Sequence, residues 1–257
     1  GCSPIWDDEN PEKDVTEIMA THMPRSEVKP VKAKPLIIEN KEVKLSMELL
    51  SKKEKKSDII ILLERFIKTY SEWIKEKVKE SDNLDTMKKV RAKKNLINCD
   101  ISFNRMKNGI KALKENDSIF ESFCYMNQAM LLQQIRYNAE LWEMTDKEKS
   151  RPLAIIEDRT TWPDWSQEDQ INKKLGNWRP FQLAFILMNL TSLSSELNAK
   201  EAQEEREIVD LIWFPTGGGK TEAYFGIAAF NIFSRRLNNK NDHATTVITR
   251  YTYRVLT

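Results

Sequence analysis

An α-helical N-terminal bundle followed by the start of an α/β domain with a parallel sheet is the architecture this sequence predicts. Three observations carry it. Apolar residues recur at three- and four-residue steps through three successive segments between residues 57 and 145. The run Ile208-Val209-Asp210-Leu211-Ile212-Trp213 is almost continuously apolar over a strand's length, as expected of a strand buried on both faces. It leads through a glycine-rich turn into a further amphipathic segment and then into Thr245-Thr246-Val247-Ile248-Thr249, a second β-branched run, so that a right-handed βαβ unit is expected.

Residues 1–56 read as an extended arm. Pro4, Pro11, Pro24, Pro30 and Pro35 fix backbone angles and remove donors, and Leu36 to Ile38 is the strand-like run within it. From Ser57, the residues Ile59, Leu62, Leu63, Phe66, Ile67, Tyr70, Trp73 and Ile74 form one apolar stripe, with Ser57 or Asp58 as candidate cap. A second helix is predicted from Leu84 to Glu115, lysine-rich, with Val90, Leu96, Ile97, Ile101, Phe103, Met106, Ile110 and Leu113 as its apolar positions. Asn116-Asp117-Ser118 supplies turn and cap chemistry before a third helix, Ile119 to Met144. Three such helices bury their stripes only against one another, and short connections favour antiparallel neighbours, so residues 57–145 are a helical bundle module.

The basic run Lys88, Lys89, Arg91, Lys93 and Lys94 has two readings, a track for phosphates or the ordinary solvated face of a helix. Residues 146–176 are polar, lack periodicity and read as a linker; Trp162 and Trp165 within it are packing anchors or stacking platforms for bases. Residues 177–257 are the N-terminal part of the α/β domain.

The composition narrows the function classes. At 257 residues and 40% hydrophobic, the chain buries a substantial core. A net charge of +2 announces no polyanion partner, so any basic surface is local. Cys2, Cys99 and Cys124 show no C-x-x-C pairing and fit reduced thiols rather than disulfides or zinc. His22 and His243 stand isolated, which leaves histidine-centred chemistry little to work with. No basic leader runs into an apolar stretch and no run is long enough to span a bilayer, so a cytoplasmic location without membrane contact is expected.

The chemistry is concentrated in Phe214-Pro215-Thr216-Gly217-Gly218-Gly219-Lys220-Thr221-Glu222. Backbone N–H groups that turn inward around phosphate oxygens need a conformation that Cβ atoms obstruct, and three of the chain's seven glycines stand together here. Lys220 is placed to reach the β and γ phosphates, the Thr221 hydroxyl to ligate Mg²⁺, and the helix Thr221 to Leu237 to direct its positive end at the anion. Pro215 and Glu222 flank the cradle. The match to G-x-x-x-x-G-K-[ST] departs at its first position, where Phe214 stands for glycine. On this helix Ala223, Ile227, Phe230 and Phe233 are expected to face the sheet.

The stretch Trp213 to Gly226, together with Arg250-Tyr251-Thr252-Tyr253-Arg254-Val255-Leu256-Thr257, resembles superfamily 2 helicases, and specifically the large helicase subunit of DISARM-type anti-phage defence systems; Druantia-type helicases look similar. Trp178-Arg179-Pro180-Phe181-Gln182-Leu183-Ala184-Phe185-Ile186-Leu187 resembles the block ahead of that family's P-loop, Met126 to Gln133 resembles a block of its helical region, and Pro24 to Val28 is a weaker match. The resemblance implies a RecA-like domain binding ATP and Mg²⁺, with Gln182 where related motors read the adenine and Arg250, Thr252 and Arg254 where motif Ia touches the nucleic-acid backbone. On the residues alone, Gln182 is a polar group at a helix start able to offer a donor and an acceptor, and Arg250 and Arg254 suit either phosphate contact or a salt bridge.

The sequence therefore points to the front portion of an ATP-dependent DNA helicase or translocase of an antiviral system, with partner subunits implied by the resemblance. No acidic Asp-Glu box follows Lys220, so weak or no turnover is expected of this chain alone. The alternatives are a non-catalytic module serving as a protein-interaction or nucleic-acid-binding platform, and, further off, a nucleotide-dependent kinase or GTPase.

Overall fold

A computed structural model describes residues 35–138, 176–194, 200–212 and 218–250. The arm's strand-like run is strand β1 (Leu36–Ile38), which pairs antiparallel with β2 (Lys41–Val43) across a turn whose residues Glu39 and Asn40 both take positive φ. Strand β3 (Leu45–Ser46) follows and pairs antiparallel with β4 (Asn177–Trp178), Leu45 opposite Trp178. The Ser46 hydroxyl then accepts from the Leu49 N–H and caps the one-turn helix α1 (Met47–Leu50).

The first long helix, α2 (Lys56–Ser81), emerges from a 3₁₀ turn over Lys53–Lys55. Neither Ser57 nor Asp58 caps it. The preceding turn delivers the chain into the helix, Lys55 is the N-cap with no side-chain bond, and Asp58 lies inside the first turn, where its charge suits the helix dipole. Helix α3 (Thr86–Glu115) begins two residues later than Leu84, because Asp85 accepts from the Lys88 N–H and sets the start. The Asn116 side chain accepts from the N–H groups of Ser118 and Ile119 and opens α4 (Asp117–Asn138), as the turn chemistry predicts. Met144, the expected end of that helix, lies outside the described residues, as does most of the linker with Trp162 and Trp165.

The remaining helices are α5 (Pro180–Leu193), with Pro180 in its first turn, α6 (Lys200–Arg206) and α7 (Lys220–Asn238). Helix α2 packs on α3, α3 on α5, α4 on α7 and α5 on α7. The core draws Ile59, Leu63 and Phe66 of α2, Met106 and Leu113 of α3, Phe123 and Met126 of α4, Leu183 and Ile186 of α5 and Phe230 of α7 into one cluster. Gly109 permits the α3–α5 crossing: a Cβ there would stand 2.1 Å from the Leu187 carbonyl oxygen.

Only the C-terminal half of α3 is buried as the periodicity predicts. Met106, Ile110 and Leu113 are in the core, whereas Val90, Ile97 and Ile101 are exposed. Leu96, Cys99 and Phe103, on the same stretch, are only partly covered.

The expected parallel sheet does not form among the described residues. Their strands make two small antiparallel pairs, and neither 208–212 nor 245–249 belongs to a ladder. Val209 is 93% exposed, Leu211 86% and Ile248 89%. A strand needs a neighbour to hold its backbone groups, and other partners occupy these segments. Arg105 on α3 donates to Asp210 from both terminal guanidinium nitrogens, Nη1 and Nη2, at 2.6 and 2.8 Å. On α7, Arg235 donates to the Thr245 carbonyl at 3.1 Å and grips Asp242 at 2.7 and 2.9 Å. Helix α7 accordingly turns its apolar face to helices rather than to a sheet: Ala223 and Phe230 are buried, Ile227 packs against the core, and Phe233 stacks on Tyr125 of α4 at 5.4 Å.

Candidate functional site

The site begins at the start of α7. Gly219 is the residue before the helix and adopts φ +83°, a left-handed conformation open to glycine at no steric cost. A Cβ at this position would meet the Gln182 amide nitrogen at 2.7 Å and Glu222 Oε2 at 3.2 Å. The glycine is thus required twice, by its backbone angle and by the closeness of its neighbours. Lys220 is the first residue of the helix and is half-buried; Thr221 beside it is exposed, and Glu222 is partly covered, with its Oε2 atom shielded from solvent and without a hydrogen-bond partner among the described residues.

Helix α5 supplies the second wall. Gln182 is 4% exposed and both ends of its amide are engaged: Oε1 accepts from the Arg179 N–H at 2.8 Å, and Nε2 donates to the Gly219 carbonyl at 2.7 Å. The Arg179 guanidinium donates to the Gly218 carbonyl at 2.7 Å. Two consecutive glycine carbonyls are therefore clasped by two side chains from the start of one helix. In a trans peptide the carbonyl of one residue and the N–H of the next point to opposite sides, and the described residues contain no cis bond. Holding the oxygens of Gly218 and Gly219 toward α5 turns the N–H groups of Gly219 and Lys220 away from it. Phosphate cradles use backbone amides turned in this manner, at a helix N-terminus with its partial positive charge.

The clasp is anchored to the core. Trp178, just before it, is buried, and its indole N–H donates to Asn127 Oδ1 on α4 at 2.7 Å; Asn127 in turn donates to the Phe123 carbonyl at 2.8 Å. Gly226 of α7 lies against this indole and Ile186, so close that a Cβ would stand 3.0 Å from the ring and 2.8 Å from the isoleucine. The two sequence blocks at Met126–Gln133 and Trp178–Leu187 are thus joined by a buried hydrogen bond, and both bear on the helix that opens the loop. On the far side, Phe185 meets Tyr224 edge to face at 6.1 Å.

Of the residues singled out from sequence, Gly218, Gly219, Lys220, Thr221, Glu222 and Gln182 come together here. Pro215, Thr216 and Gly217 lie outside the described residues, as do Thr252 and Arg254. Arg250 is exposed at the other end of the 245–250 segment, with no carboxylate at ion-pair distance among the described residues. Sequence reasoning passed over Arg179, Asn127 and the Arg105–Asp210 pair. Arg179 stood beside Gln182 ahead of Pro180, a position from which its side chain reaches the next helix start. Nothing local marks Asn127 or Arg105, whose partners lie far along the chain. The Asp210 carboxylate raises the Arg105 guanidinium above its ordinary pKa, keeping it charged despite its burial; Glu205 stands 3.9 Å from the same group.

No helix among the described residues is long and apolar enough to cross a membrane. No protein-family model matches the chain. It is similar to DISARM protein DrmA of Bacillus paralicheniformis, with 33% identity over 270 residues, an alignment that takes in 100% of this chain and 21% of that protein. The chain spans about a fifth of the length of this relative. Along its whole length this chain is thus homologous to DISARM protein DrmA.

Proposed function

We propose that the chain is the nucleotide-binding front of an ATP-driven nucleic-acid motor with a role in anti-phage defence. The observation that carries this reading is the clasped Gly218-Gly219 turn opening helix α7 at Lys220, in which a Cβ at Gly219 would collide with the clasping Gln182 amide. Homology to DISARM protein DrmA supports the defence role and a setting among partner subunits.

On this reading Pro215, Thr216, Gly217, Gly218 and Gly219 surround the phosphates of MgATP, Lys220 neutralises them, and the Thr221 hydroxyl is the protein's Mg²⁺ ligand. Glu222 flanks the loop, its shielded oxygen on the side where a Cβ at Gly219 would stand. Bound ATP supplies the free energy of phosphoryl transfer that a motor converts into movement. Arg250, Thr252 and Arg254 contact the phosphate backbone of DNA. The segments 208–212 and 245–249, apolar and unpaired here, become strands of a RecA-like parallel sheet with further strands of a longer protein. Their exposed Val209, Leu211 and Ile248 support this part of the reading, because burying apolar side chains against a neighbouring strand is favourable.

Isothermal titration of the chain with MgATP tests the proposal. Lys220→Ala is expected to weaken binding by a hundredfold or more, since a cation opposite the phosphates is lost. Unchanged affinity in that variant refutes it, and leaves the chain as a non-catalytic interaction platform, the role that the exposed Met87, Val90 and Ile97 of α3 favour.

A further inference from the structure

The hairpin of α2 and α3 carries a second feature that the nucleotide site does not use. A groove of about 500 Å³ runs between the two helices, floored by Ile67, Phe103 and Ile110 and rimmed by Lys68, Lys107, Lys111 and Lys114 together with Glu64 and Glu115. Lys114 lies 3.6 Å from Glu64 and Lys68 lies 3.9 Å from Glu72. Lys107 and Lys111 have no carboxylate at ion-pair distance among the described residues.

The spacing in α3 extends this edge. Positions 107, 111 and 114 follow one another at four and three residues and share a face. Lys89 and Lys93 stand about five turns before Lys107 and Lys111, which brings them back to the same face about 27 Å along the axis. Asp100 interrupts the row, and Lys89 is paired with Asp82 at 2.9 Å. The solvated face of a surface helix mixes signs over a convex surface. Here four lysines, outnumbering Glu64 and Glu115, line a concavity whose floor is apolar and includes an aromatic ring.

We propose that this groove binds single-stranded nucleic acid, with Lys107 and Lys111 on successive backbone phosphates and the floor at Phe103 receiving a base. A linear polyanion matches cations repeated at each helical turn, and a base supplies the planar apolar surface that the floor needs. A purely acidic protein segment would satisfy the lysines and leave the floor uncovered. The site is separate from the glycine-rich loop and does not depend on nucleotide being bound there.

The test is fluorescence anisotropy of the full chain with a labelled oligo-deoxythymidine of about 20 nucleotides, without nucleotide, across a series of salt concentrations. Wild-type chain is expected to bind. The Lys107→Glu/Lys111→Glu variant is expected to bind at least tenfold more weakly, and Lys107→Gln/Lys111→Gln to lower the slope of log affinity against log salt by about 1.4, two contacts at about 0.7 each. Phe103→Leu is expected to weaken binding severalfold with the slope unchanged, a readout that charge alone does not move. MgATP affinity measured on the same lysine variants is expected to stay at the wild-type value, so failure here and failure of the loop reading are distinguishable. Wild-type affinity in the charge-reversed variant overturns the proposal. So does an unlabelled poly-glutamate that competes as well as the oligonucleotide, which would make the groove a protein-docking site.

Discussion

Gln182 is where two accounts of the nucleotide site give opposite results. If it reads the adenine, its removal harms binding of adenine nucleotides and spares others. In the structure its amide is occupied at both ends, by the Arg179 N–H at 2.8 Å and the Gly219 carbonyl at 2.7 Å, within a side chain that is 4% exposed. Gln182→Ala therefore removes two hydrogen bonds, each contributing about 0.5–1.5 kcal/mol net, or about 1–3 kcal/mol together. Part of that loss appears as global stability. The rest is the ordering of the Gly218-Gly219 turn, which a bound phosphate must then restore. Taking about 1.4 kcal/mol for that part, affinity is expected to fall about tenfold. Because the damage is to the loop and not to a base pocket, MgATP, MgGTP and magnesium tripolyphosphate should all weaken by a similar factor in isothermal titration. A variant that loses MgATP affinity tenfold and keeps wild-type affinity for tripolyphosphate would refute the clasp and restore the adenine role.

Two further predictions concern the scaffold that carries the site. Gly109→Ala drives a methyl group to within 2.1 Å of the Leu187 carbonyl, a backbone atom of α5 that cannot step aside, and is expected to destabilise the chain by about 3 kcal/mol in urea unfolding; a change under 0.5 kcal/mol would show that the helices cross more loosely. Arg105→Ala leaves Asp210 and Glu205 without the guanidinium between them and is expected to cost about 3–5 kcal/mol at pH 7, more than Asp210→Ala, which keeps Glu205 opposite the arginine. Urea unfolding of both variants measures the difference, and an Asp210→Ala loss as large as that of Arg105→Ala contradicts it.

The amphipathic segments, the Asn116 cap and the strand-like run at 36–38 were legible because each is set by residues within a few positions of one another. Gly219 was legible for the same reason: a left-handed turn into a helix is a local demand. Two predictions from periodicity fell short for a reason outside the segments themselves. Val90, Ile97 and Ile101 repeat at helical spacing yet are exposed, and 208–212 and 245–249 have strand composition without a neighbouring strand among the described residues. A periodic pattern shows which face seeks burial and is silent on what arrives to bury it.

By itself, then, the sequence determined the long amphipathic helices, the Asn116 cap and a glycine turn ahead of Lys220-Thr221, since these follow from backbone sterics and short-range hydrogen bonding. Only the tertiary structure decided that Gln182 and Arg179 clasp the Gly218 and Gly219 carbonyls, that Asn127 receives the Trp178 indole, and that Arg105 reaches Asp210. Those contacts join residues between 37 and 105 positions apart, and the pairing of a buried donor with a distant acceptor is settled by how the helices pack.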